Sequence, residues 1–162
     1  MGQIWLGALA MVTVFAQVSW LPLVRPLGVV PSAALVLVVL VALEGRAYAG
    51  LVLALVAGFV LDLVSGGNFG LWMGVLVLEV LVAALVRQAG IEIHGLLVPA
   101  VMVVAGTLLF DLIVLGSLVG VVSNWPIGQV MMQTLAEILL NLLVMVLLRP
   151  LIRRSVIPEV GM

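Results

Sequence analysis

Cysteine and lysine are both absent from the 162 residues, and histidine occurs once, at His94. Without cysteine there is no disulfide, no thiolate metal site and no cysteine nucleophile. Without lysine, six arginines carry all the basic charge against seven acids, leaving a net charge of -1. That balance offers no basic surface for phosphates and excludes nucleic acid as a partner. Charge of either sign is scarce, at 8% of residues, where soluble domains carry about 25%. What fills the chain is apolar: 66% of residues are hydrophobic and the mean hydropathy is +1.50. This is the composition of an integral membrane protein. Its length accommodates one transmembrane domain, residues 1–162, and leaves no room for a second, soluble one.

The opening stretch MGQIWLGALA lacks the basic n-region of a cleaved signal peptide and carries Leu6 where a myristoylation motif needs Ser or Thr. The first hydrophobic segment is therefore expected to stay in place. A crossing helix needs about 20 mainly apolar residues, and Gly, Pro and charge punctuate the chain into six stretches near that length, at about 4–21, 28–43, 47–64, 70–86, 95–117 and 127–148. The expected fold class is all-α, a polytopic protein of six transmembrane helices. Arginine-rich loops stay in the cytoplasm. With both termini there, Arg46, Arg87, Arg149, Arg153 and Arg154 lie inside and only Arg25 outside. Trp5, Trp20, Trp72 and Trp125 fall near segment ends, where an aromatic belt is expected. The basic cluster of the tail, RPLIRRSVIPEVGM, reads as a topology anchor within reach of anionic lipid.

Polar residues inside the apolar segments are the candidates for function, because hydrocarbon does not solvate them. Gly50, Ala54, Gly58 and Asp62 recur every fourth residue and so share one helical face. Small residues permit the close backbone approach that drives helix packing in lipid, so this face is expected to meet another helix. Gln133, Glu137 and Asn141 repeat the spacing in the sixth segment, Thr107 and Asp111 in the fifth, and Glu79 stands midway along the fourth. Glu79 and Glu137 are expected to be neutral there and to donate hydrogen bonds to amides such as Asn141; a partner contact, a substrate contact and an ion path are the alternatives. Asp62 lies only three residues before the turn SGGNF. Its carboxylate is expected to accept from the N–H groups of Ser65 or Gly66, with Gly66 or Gly67 ending one helix and Asn68 capping the next.

No catalytic set emerges. There is no Ser/His/Asp constellation, SGGNFG lacks the Lys and Ser/Thr of a phosphate loop, and His94 beside Glu92 makes a poor metal site. The chain reads as non-enzymatic and without cofactor.

The stretch GLVLALVAGFVLDLVSGGNFGLWMGVLVL, from Gly50 to Leu78, resembles the central signature of the MreD family of bacterial rod shape-determining membrane proteins. Gly58, Asp62, Leu63, Ser65, Gly66, Gly67, Gly70 and Leu71 stand at the signature positions. Ser32 follows Pro31 where members often carry Asp, so no role of that acid transfers. The resemblance implies a non-catalytic scaffold of the cell-elongation machinery in the bacterial inner membrane. The resemblance further implies association with MreC and, through it, with the MreB filament, a RodA-type glycosyltransferase and a penicillin-binding transpeptidase. It also implies a fold similar to the substrate-binding component of energy-coupling-factor transporters, which makes a vitamin importer subunit the alternative. Membrane lipid and a second copy of the chain stay open as further contacts.

Overall fold

Six apolar runs become six helices in the computed structural model, which describes residues 2–20, 28–66, 69–91, 95–118 and 126–156, with residues 2–7, 10, 20, 117, 118 and 154–156 described by backbone alone. Helix α1 spans Gly2–Phe15 and continues into a π-helical turn, Ala16–Trp20. Then come α2 (Ala33–Leu43), α3 (Ala47–Ser65), α4 (Leu71–Gln88), α5 (Leu97–Leu118) and α6 (Ile127–Val156). There is no strand among the described residues. Helices α3, α4, α5 and α6 are each long and apolar enough to cross a membrane.

The second segment departs from expectation. Its helix begins at Ala33 rather than near residue 28 and has 11 residues, about 16 Å at 1.5 Å per residue, half of the roughly 30 Å hydrocarbon core. All 11 residues are buried. The sequence AALVLVVLVAL explains this, since a helix that is apolar all round has no face to offer solvent. Around it the other five form a ring in which α1 meets α3, α3 meets α4, α4 meets α5, α5 meets α6 and α6 returns to α1; α2 touches every one of them.

Helices α3 and α4 approach each other closely at Gly58. A Cβ built on Gly58 would lie 2.4 Å from the Cα of Met73, so only glycine lets the two backbones come this near. Ala54 and Ala57 on the same side of α3 are buried, and Gly50 lies against Ala42 of α2. Outward faces of the ring are apolar, with Leu63, Leu85, Leu112, Leu139 and Leu147 each more than half exposed, as suits helices solvated by lipid.

Helix α6 runs beyond the expected end at residue 148, through Pro150 to Val156. Proline inside a helix removes a hydrogen bond, but Pro150 is exposed while Arg149 and Ile152 are buried against the bundle. Packing on either side keeps the helix going. Trp72 likewise serves packing, stacked on Phe110 of α5 at a ring separation of 4.0 Å. The side chains of Trp5, Trp20 and Trp125 lie outside the description, as do Arg25, Glu92 and His94.

Candidate functional site

A helix that stops halfway through the bilayer leaves its first N–H groups in hydrocarbon, where each needs a partner. At the start of α2 those partners are side chains. The Ser32 N–H donates to Asn141 Oδ1 at 2.7 Å, and the Ala34 N–H donates to Gln17 Oε1 at 2.8 Å. Asn141 then donates through Nδ2 to Thr107 Oγ1 at 2.9 Å, and Thr107 donates to the Val103 carbonyl at 2.8 Å. Asn141 is fully buried and Gln17, Ser32 and Thr107 nearly so. Helices α1, α5 and α6 are thus tied to one buried helix end.

Depth follows from the helical rise. Asn141 stands about 21 Å from Ile127 and about 18 Å from Arg153, and Glu79 and Thr107 are equally central in α4 and α5. These residues therefore share the middle of the membrane. Glu79, 3% exposed, packs over Gly106, where a Cβ would lie 2.8 Å from its Cδ, and its Oε2 has no hydrogen bond among the described residues.

The other end of α2 is held by cations. Arg87 Nη1 donates to the Leu43 carbonyl at 2.7 Å, and Arg153 pairs with Glu44 at 3.1 Å. Arg149 Nη2 donates to the Gly95 carbonyl at 2.6 Å. Positive charge at a helix C-terminus complements its dipole.

Asp62 makes a second clasp, with partners other than the expected ones. Its Oδ1 accepts from the Trp72 N–H at 2.9 Å and its Oδ2 from the Met73 N–H at 3.2 Å, both in the first turn of α4. Ser65 Oγ donates to the Asp62 main-chain carbonyl at 3.3 Å instead. The reason is geometric: Gly58, one turn earlier, brings the start of α4 against α3, so the carboxylate caps a helix ten residues on rather than its own loop. Gly66 ends α3 with φ +62° and Gly70 precedes α4 with φ +93°, left-handed backbone that glycine adopts freely. Gly67 and Asn68 lie outside the described residues, so the expected Asn68 cap is not among them.

Asp111 and Gln133 remain nearer the surface. Thr134 Oγ1 donates to Asp111 Oδ2 at 2.6 Å across the α5–α6 seam, and Glu137 lies within hydrogen-bonding reach of Asn141. A cleft of about 470 Å³ between α1 and α3 is lined by apolar side chains, among them Met11, Phe15, Leu53, Val56 and Val60. No group of three metal-ligating side chains occurs among the described residues.

Gln17, Arg87 and Thr134 are site residues that sequence reasoning missed. Thr13 and Gln17 carry the same four-residue polar spacing that marks Gln133, Glu137 and Asn141, and that was the available signal.

No curated protein and no solved structure matches the chain. The model of the family described as rod shape-determining protein MreD matches residues 2–155. The match runs well beyond the Gly50–Leu78 signature and takes in all six helices, from the Gln17 turn to Arg153. An Asp62-capped helix pair and a buried central helix are thus features of a member of the MreD family of rod shape-determining membrane proteins, to which this chain belongs.

Proposed function

We propose that this protein is a non-catalytic scaffold of the cell-elongation machinery that binds MreC in the bacterial inner membrane. Through MreC it supports the MreB filament and the RodA-type glycosyltransferase with its penicillin-binding transpeptidase. The observation that carries the reading, beside family membership, is where the intramembrane polar groups go. Asn141, Gln17, Thr107, Asp62 and Arg87 are spent on backbone groups and on one another, which fixes a rigid platform. A carrier of polar small molecules needs polar groups converging on a cavity, and the α1–α3 cleft has an apolar lining.

In this reading the chain crosses the membrane six times with both termini in the cytoplasm, an architecture similar to that of energy-coupling-factor substrate-binding components. Val29–Ser32 add at most about 13 Å to the 16 Å of α2, and the Ala33 N–H turns back to the Pro31 carbonyl at 3.0 Å, so in this reading the second crossing also uses residues before Val29. Arg46, Arg87, Arg149 and Arg153 gather at the end where α2 closes, which suits the cytoplasmic side.

The test is purification of the tagged full chain from native membranes in mild detergent. MreC is the expected co-purifying protein. Recovery of an ATPase with an energy-coupling membrane subunit in its place would overturn the proposal.

A further inference from the structure

The seam between α5 and α6 carries polar groups whose bonding capacity exceeds the contacts they make inside the bundle, where Asp111 meets Thr134 and Glu137 meets Asn141. Asp111 is half-buried and accepts a single hydrogen bond among the described residues, from Thr134 to Oδ2. Gln133, one residue before Thr134, is exposed, and its amide has no partner among the described residues. Glu137, one turn deeper, is half-buried beside Asp111. Asp111 lies about 10 Å from the α5 C-terminus and Gln133 about 9 Å from the α6 N-terminus, so all three sit inside the apolar layer. Leu108 and Leu112 are exposed beside them on α5 and make the rest of this flank apolar.

Lipid tails offer such groups no hydrogen bond. The nearest described cations on α6, Arg149 and Arg153, stand at least 18 Å further along the helix than Glu137. A second copy of this chain would bring further acids and no cation against Asp111 and Glu137.

We infer that the α5–α6 seam docks a transmembrane helix of a partner protein carrying one lysine or arginine at the level of Asp111. The cation sits between Asp111 and Glu137, Gln133 hydrogen-bonds beside it, and apolar residues of the incoming helix cover Leu108 and Leu112. A basic side chain near the end of a helix reaches this depth along its own apolar stem. The inference rests on the scaffold reading and assigns the face through which a partner helix is held.

The chain has no native cysteine, so a single Leu108→Cys marks the seam and a single Leu81→Cys on α4 marks a control face. Each full-length variant is reconstituted in phosphatidylcholine vesicles. The probe is a transmembrane peptide of about 21 leucines and alanines with one cysteine and one lysine about 10 Å from its end; its twin carries leucine in place of lysine. Disulfide formation at Leu108→Cys should favour the lysine peptide by about tenfold, the equivalent of one good intramembrane polar pair. Leu81→Cys should show no preference. Adding Asp111→Asn and Glu137→Gln should abolish the preference, and Asp111→Asn keeps an acceptor for Thr134, so the seam still closes. Equal cross-linking of the two peptides, or Leu108→Cys pairing mainly with its own copy, overturns the inference. If MreC co-purifies while the peptides bind equally, only the face assignment fails. If the lysine peptide is preferred and MreC does not co-purify, only the scaffold reading fails.

Discussion

Asp62 and Asn141 are both polar side chains in apolar helices, and each ends on the backbone of a different helix. Asp62 is 3% exposed with both oxygens engaged, so a partner at the α3–α4 turn would meet Phe69, Val64 and Ser65 rather than the carboxylate. Replacing Asp62 by alanine strips two amides at the start of α4 of their acceptor. We expect Asp62→Ala to lower stability by about 2 kcal/mol in detergent micelles, measured by thermal unfolding, and Asp62→Asn, which keeps one acceptor, to cost about half of that. The sequence showed that Asp62 is polar, near a turn and on the Gly58 face. It did not show which amides it takes, because that depends on a contact between Gly58 and Met73 of another helix.

At the scale of elements, α2 is the part that hydropathy misread. Residues 28–43 are apolar apart from Ser32, and apolar length alone does not distinguish a helix from an extended strand of chain leading into one. Local chemistry did carry the boundary: Pro31 disfavours helix in the residue before it, and Ser32 is an N-cap type. The Ser32 side chain makes no cap hydrogen bond, however, and the amides go to Gln17 and Asn141, the latter 109 residues away. Nothing in one sequence announces a pairing of that range. The π-helical turn Ala16–Trp20 belongs to the same device, since it contains Gln17. Asn141→Leu and Gln17→Leu should each speed hydrogen exchange at the Ser32 and Ala34 amides by about tenfold, corresponding to the 1–2 kcal/mol expected for losing one buried hydrogen bond. Because both side chains hold one helix end, the double variant should lose less than the sum, by 0.5 kcal/mol or more.

On the scale of the whole molecule, the positions of α3, α4 and α5 and the start of α6 follow from apolar length and turn residues to within a few residues. The ring order does not, because six similar greasy helices can be arranged in many ways. Short connections make α3 and α4 neighbours, and α5 and α6 neighbours. The central place of α2 follows only from its lack of any polar face. In the resulting bundle most intramembrane polar groups hold helices together, and Glu79 is the buried acid that the clasps do not use. A scaffold has no need of its charge, whereas a proton or ion path would. The decisive measurement is the shape of rod-forming cells whose only copy of this protein carries Glu79→Gln, with the abundance of the chain read in parallel. The account predicts rods of unchanged width; round cells containing the full amount of folded chain would contradict it.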